Sequence, residues 1–279
     1  MYKEIIPKIE EIIPKSEFLK QYIQSFSILT NNGDRDINYY IFPQIGSTMV
    51  LTNGITTKRY ENKIQFSNNS SSRPKVEVFG KYLNPVNIVY QGQFIEFSID
   101  FTAFGINYFL NKPYKLIAPS NFQEVEHSSL LQLCLQINEI QKIEEKVEIA
   151  EQYFIEAFKE IKVDYLEKAV TLISNSENIS VENVAQQCNT TARTLNRVFN
   201  NYIGCSPQTF KKIVKFRKAV NYKLQSDRQV NYTEVCYEND FYDSSHFLRV
   251  FKSLTNENPS NFFNSILEMG KSKFPVRFS

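Results

Sequence analysis

Two short stretches of this chain carry side chains able to read the edges of nucleic-acid bases. In the first, Arg193, Asn196 and Arg197 stand three and four residues apart, so a helix places them on one face. In the second, Ser244, Ser245, Leu248 and Arg249 repeat that spacing. Arg can bind guanine O6 and N7 through two parallel N–H donors, and Asn can hold adenine N6 and N7 the same way. Ser reaches bases or phosphates, and an apolar Leu meets a thymine methyl. An exposed Arg is ordinarily a solvated helix residue, but Arg197 and Arg249 occupy one place in two copies of a repeat.

The repeat extends well beyond the two arginines. One copy runs from Val184-Ala-Gln-Gln-Cys-Asn189 through Leu195-Asn-Arg-Val-Phe199 to Ser206-Pro207 and Phe210. The other runs from Val235-Cys-Tyr-Glu-Asn-Asp240 through Phe247-Leu-Arg-Val-Phe251 to Asn258-Pro259 and Phe262, offset by 51 residues before the turn and 52 after it. Each copy reads as helix, tight turn, helix. Ser180 and Thr191 cap the first pair, Asn231 (with Glu234 at capping-box spacing) and Asp243 the second, and Asn189 and Asp240 sit where the backbone must reverse. Leu195, Val198, Phe199 and Tyr202 form the buried stripe of the first exposed-face helix. Between the units, Pro207 to about Gln225 forms a single helix begun by proline at its first turn. Its length of about 28 Å suits two recognition helices set near the ~34 Å repeat of successive major grooves. Lys211, Lys212, Lys215, Arg217 and Lys218 decorate that helix, either as a solvated face or as phosphate contacts.

Other chemistry finds little support. The 279 residues contain no P-loop, no G-x-G-x-x-G and no G-x-S-x-G, so no enzyme is expected and no cofactor. His127 and His246 are far apart with no second ligand at metal spacing, and His246 reads as structural or phosphate-contacting. Cys134, Cys188, Cys205 and Cys236 form no C-x-x-C pair and read as reduced, buried thiols. With 42% hydrophobic residues, no apolar run of membrane-spanning length and no signal-peptide pattern at Met1-Tyr2-Lys3-Glu4, the expectation is a soluble, cytoplasmic protein of two domains. The net charge of +2 is unevenly shared: residues 1–164 hold 17 Lys/Arg against 20 Asp/Glu and residues 165–279 hold 15 against 10, giving −3 and +5. The basic half is the one with the repeat.

The first half is of another kind. Runs at Ile37–Phe42, Thr48–Leu51, Lys63–Phe66, Val76–Tyr82, Ile88–Tyr90 and Phe94–Phe101 read as strands of a small antiparallel barrel or sandwich. The last two flank Gln91-Gly92-Gln93 and read as a half-buried hairpin, with Phe97, Ile99 and Phe101 inward and Glu96, Ser98 and Asp100 outward. Tyr39, Tyr40, Phe42, Tyr90 and Phe97 either fill the core or line a ligand pocket. From Ile140 to Phe158 the period becomes that of a long amphipathic helix joining the domains, its apolar stripe packed on its own domain or forming a dimer seam. The expected fold is therefore α+β: a β-rich domain over residues 1–128, a helical connector over 129–164 and an all-α domain of two helix-turn-helix units over 165–279.

Residues 165 to 265 resemble the DNA-binding domain of the AraC/XylS family of bacterial transcription regulators. The resemblance rests on Arg193-Thr-Leu-Asn-Arg197-Val-Phe199, Gly204-Cys-Ser-Pro207, Phe216-Arg217-Lys-Ala219 and Phe241-Tyr-Asp243-Ser-Ser245-His246-Phe247-Leu-Arg249-Val-Phe251-Lys252. It implies contacts to DNA from Arg193, Asn196 and Arg197 and from Ser244, Ser245, Leu248 and Arg249. The chain departs from the family at Asn189 and Asp240, where glycine is usual, and at Asn256 and Asn258 near the end of the second unit. Double-stranded DNA is the expected partner, with a homodimer, RNA polymerase and a small-molecule effector as further partners. The competing expectations are a ligand-binding or catalytic β domain whose helical tail no longer reads DNA, and an architectural binder without sequence preference.

Overall fold

The computed structural model describes residues 8–32, 36–176, 179–226, 230–239, 241–269 and 274–278. Among them the first half, joined by two strands from the C-terminal end, builds two six-stranded sheets. Sheet A has the order β1 (Lys8–Ile12), β2 (Ile23–Asn31), β9 (Phe94–Phe101), β4 (Ser47–Thr52), β7 (Lys75–Phe79) and β10 (Phe122–Glu124). Sheet B has the order β11 (Leu267–Met269), β12 (Phe274–Phe278), β3 (Ile37–Ile41), β8 (Val86–Gln91), β6 (Lys63–Asn68) and β5 (Ile55–Arg59). All pairings are antiparallel except β6 with β8.

Alternation of side chains across sheet A sets the layering. One face carries Phe26, Ile28, Met49, Leu51, Val76, Val78, Phe97, Ile99 and Phe101, buried against α1 (Gly105–Leu110), α2 (Tyr114–Ile117), α3 (Ser128–Glu139) and α4 (Ile143–Ala157). The other face is turned toward sheet B, whose Ile37, Tyr39, Ile41, Ile88 and Tyr90 pack with Phe66, Phe79 and Phe94. The fold is thus helices on sheet A on sheet B.

One expectation is corrected here. The 86–101 region is no hairpin: β8 pairs with β3 and β6, β9 with β2 and β4, and the Gln91–Gln93 turn carries the chain from one sheet to the other, Gly92 supplying a φ of 76°. Glu96 and Ser98 are consequently buried, and Asp100 faces the gap between the sheets rather than solvent. The amphipathic helix expected over Ile140–Phe158 forms as α4, with α3 a separate helix ending at Glu139 before it; Val147, Ala150 and Phe154 pack into the sheet A core, so the apolar stripe serves its own domain.

The second half is helical: α5 (Asp164–Asn175), α6 (Val181–Gln187), α7 (Ala192–Tyr202), α8 (Pro207–Gln225), α9 (Tyr232–Glu238), α10 (Ser244–Thr255) and α11 (Pro259–Ser265). It then returns to the first half, because β12 pairs with β3 along Val276↔Ile41 to Phe278↔Tyr39. Arg277 lies over the Tyr40 ring at 4.5 Å and is ion-paired to Glu257. Elsewhere Phe42 meets Phe262 edge-on at 4.9 Å, the Asn107 side chain donates to the Tyr202 carbonyl, and the Tyr108 hydroxyl donates to Glu167. Gly204, at φ 84°, could not be another residue: a Cβ there would sit 2.8 Å from the Tyr114 ring.

Burial of acids between the sheets has a consequence for stability. Burial raises the Glu96 carboxyl to about 7 and the Asp100 carboxyl to about 6. Both folded values lie above the unfolded ones, so the folded state binds more protons between roughly pH 4 and pH 7. Chemical denaturation followed at fixed pH should therefore show this contribution to stability falling as pH rises from about 4 toward 8. Glu96→Gln should flatten that fall, and stability that increases over this window would contradict the assignment.

Candidate nucleic-acid interface

The caps named from sequence form where expected. Ser180 Oγ accepts from Asn183 N, Thr191 Oγ1 from Thr194 N, Asn231 Oδ1 from Glu234 N, and Asp243 Oδ1 from His246 N. Each satisfies one of the first-turn amides that a helix leaves without a partner. The Glu234 carboxylate accepts from the Tyr222 hydroxyl, tying the second unit's first helix to α8. Asn189 adopts φ 51°, which lets asparagine do the work of glycine at the first turn; Asp240 lies outside the described residues. The Asn256 and Asn258 departures are also accommodated, Asn256 at φ 60° ending α10 and Asn258 capping α11.

Packing then decides which faces stay free. In α7, Leu195, Val198 and Phe199 are buried, and the stripe leaves Arg193 and Arg197 exposed with Asn196 half-buried. In α10, Phe247, Val250, Phe251 and Leu254 are buried, leaving Ser244, Ser245, Leu248 and Arg249 exposed. Leu248 keeps 48% of its surface in solvent, which its own core does not explain. The structure therefore groups the predicted residues as two faces, one on each second helix. Asn196 is the qualified member: its Nδ2 donates to the Ala192 carbonyl at 2.9 Å, so it must release that bond to reach a base.

Helix α8 holds the two faces at a fixed spacing. Phe210 and Val214 belong to the first unit's core, and Ile213, Phe216, Ala219 and Val220 to the second's. The expectation for its basic residues needs revision, since only part of the run is on the surface. Lys211, Lys212 and Lys218 are half-buried, whereas Lys215 and Arg217 are buried, Lys215 with its ammonium 5.6 Å from the Phe241 ring and Arg217 directed at the β domain. Lys211 donates to the Ile179 carbonyl. Lys211, Lys212 and Lys215 border a groove with Tyr237, Tyr242 and His246. Tyr237 and Tyr242 are 82% and 92% exposed and were not singled out in the sequence; their signal was an aromatic next to each turn of the second unit, with hydroxyls able to reach phosphate. His246 Nδ1 is buried without a hydrogen-bond partner, and burial lowers its basicity. All four cysteines are buried free thiols. Among the described residues no group of three or more histidine, cysteine and acidic side chains is placed to hold a metal ion, and no helix is long and apolar enough to cross a membrane.

Two capped helix pairs on one rod make the second half a double helix-turn-helix domain. A family model described as a helix-turn-helix domain matches residues 184–265. The transcriptional activator RhaS of Salmonella arizonae is 33% identical over 84 residues, as is RhaS of Salmonella newport; the match covers 30% of this chain and 30% of each of theirs. The chain thus spans under a third of the length of the curated relatives it matches. Among solved structures, ToxT of Vibrio cholerae aligns with a TM-score of 0.47 at 14% identity, over 87% of this chain and 98% of that one.

The exposure of Arg197 makes a stability prediction. Arg197→Ala should change the unfolding free energy little, within about 0.5 kcal/mol, whereas Leu195→Ala should cost about 2–5 kcal/mol, both read by chemical denaturation. Comparable losses for both would mean Arg197 has a structural role.

Proposed function

We propose that this protein is a sequence-specific DNA-binding transcription regulator, not an enzyme, acting in the cytoplasm. The observation that carries the reading is the pairing of Arg197 and Arg249 on solvent-facing helix surfaces, each one turn or so beyond a side-chain cap, with one helix fixing their separation. An Arg held that way costs stability nothing and gains its use only against a partner. In this reading Arg193 and Arg197 read bases from α7, Asn196 assists after releasing Ala192, and Ser244, Ser245, Leu248 and Arg249 meet base edges and backbone from α10. Lys211, Lys212, Tyr237 and Tyr242 contact phosphates and set the register.

The sheets and the helices through α4 form the sensory unit, and the helices from α5 onward the DNA-binding unit. The sensory unit takes a small-molecule effector, and the chain works as a homodimer that engages RNA polymerase once on DNA. Activation is favoured over repression by the named RhaS relatives, which are activators.

Fluorescence anisotropy against duplexes tiled over the gene's own upstream region tests this at fixed salt. One tile should bind at least about a thousandfold tighter than scrambled duplex, and Arg197→Ala should lose about 1–3 kcal/mol on that tile alone. Equal, steeply salt-dependent binding to every tile would favour an architectural binder. No binding to any tile, with Arg197→Ala indifferent, would favour a β domain with a docking tail.

A further inference from the structure

The gap between the two sheets holds a cavity of about 400 Å3, within the range of small-molecule pockets. Its walls differ in chemistry. Sheet A contributes Glu11, Ser25, Ser27, Glu96, Ser98 and Asp100, and sheet B contributes Tyr39, Ile88 and Tyr90. The polar wall is ordered by its own hydrogen bonds. The Tyr90 hydroxyl donates to Glu96, Thr48 Oγ1 donates to Asp100 at 2.5 Å, Ser25 donates to the other Asp100 oxygen, and Ser27 and Ser98 pair at 2.9 Å. At the end facing the helical domain the wall is completed by Arg217 and Asn221 of α8 and by Pro275 of β12. Of the charged side chains on this wall, three are carboxylates and one, Arg217, is a cation.

A sandwich interior is ordinarily filled by interlocking apolar side chains from both sheets. Here part of sheet A's inner face, beside Ile9, Leu29 and Phe79, carries acids and hydroxyls opposite tyrosines, and the space at that place stays open. Carboxylates in such a setting are stabilised by an entering positive charge and opposed by a further negative one. Tyrosine faces attract ammonium groups and stack on apolar bodies.

We propose that this chamber binds a small organic cation, an amine with a hydrocarbon or aromatic body, its ammonium held by Glu96, Asp100 and Glu11 and its body laid against Tyr39 and Tyr90. The ligand also acts on α8. Arg217 lines the same chamber, so an ammonium bound there repels its guanidinium and weakens the hold of the β domain on the helix that spaces α7 and α10. This coupling rests on the DNA-binding reading above, whereas binding in the chamber does not.

The test is calorimetric titration and thermal melting of the full chain with n-hexylamine and phenethylamine, beside 1-hexanol and 2-phenylethanol and beside hexanoate and 3-phenylpropionate. At least one amine should bind one site and raise the melting temperature more than its alcohol and carboxylate counterparts. Glu96→Gln and Asp100→Asn, each checked for native circular dichroism, should weaken that amine at least about tenfold. The wild-type comparison stands by itself should either variant not fold. Carboxylates binding as well as amines, no amine binding, or folded variants binding the amine as tightly as wild type would overturn the proposal. Operator anisotropy on the same samples separates the two readings. A bound amine that leaves operator affinity unchanged removes the link through Arg217 but keeps the chamber, and a wild type that binds no operator sinks the regulator reading while leaving the amine titration intact.

Discussion

Everything in this molecule turns on the burial of α8 by three partners at once. Phe210 and Val214 lock it to the first helix-turn-helix unit, and Phe216, Ala219 and Val220 lock it to the second. Arg217 turns a third side to the chamber of the β domain. A helix held on several sides cannot roll without repacking a core, because interiors are close-packed and give way in discrete steps rather than continuously. The spacing of the two arginine-bearing faces is therefore a property of the core and not of the surface. The same rigidity makes α8 the natural place for a signal from the β domain to register.

The contact between the halves is substantial and mixed. Apolar pieces such as Phe42 against Phe262 lie beside polar ties from Asn107 to the Tyr202 carbonyl and from Tyr108 to Glu167. The Lys81 ammonium gathers the carbonyls of Gln44, Ile45 and Gly46 at this junction, and burial lowers it to about 8. Strand β12 adds a main-chain seam by closing onto β3.

The helical half was legible because its signals are local. Caps, the positive φ of Asn189, the proline opening α8 and the apolar period all lie within a turn or two of the residues they govern. The exposed faces of α7 and α10 follow from that period. The β half was legible only as strands. The alternation of Glu96, Ser98 and Asp100 with Phe97, Ile99 and Phe101 is the same whether the polar side meets water or a cavity, and only non-local pairing decides it. Arg217 sat within a lysine-rich run and carried no local mark that it points inward. The return of β12 to β3 joins residues more than two hundred positions apart, beyond any periodic signal. Leu248, by contrast, was visible as an apolar residue on a face that the period leaves exposed, and it is exposed.

The claim at the centre is that one rod presents two reading heads to one side of a duplex. Hydroxyl-radical footprinting of the full chain on its operator tests that geometry directly. The account predicts two protected patches per protomer on one face of the DNA, separated by about one helical turn of 10 base pairs. A single protected patch per protomer, or uniform protection without face or spacing, would contradict it.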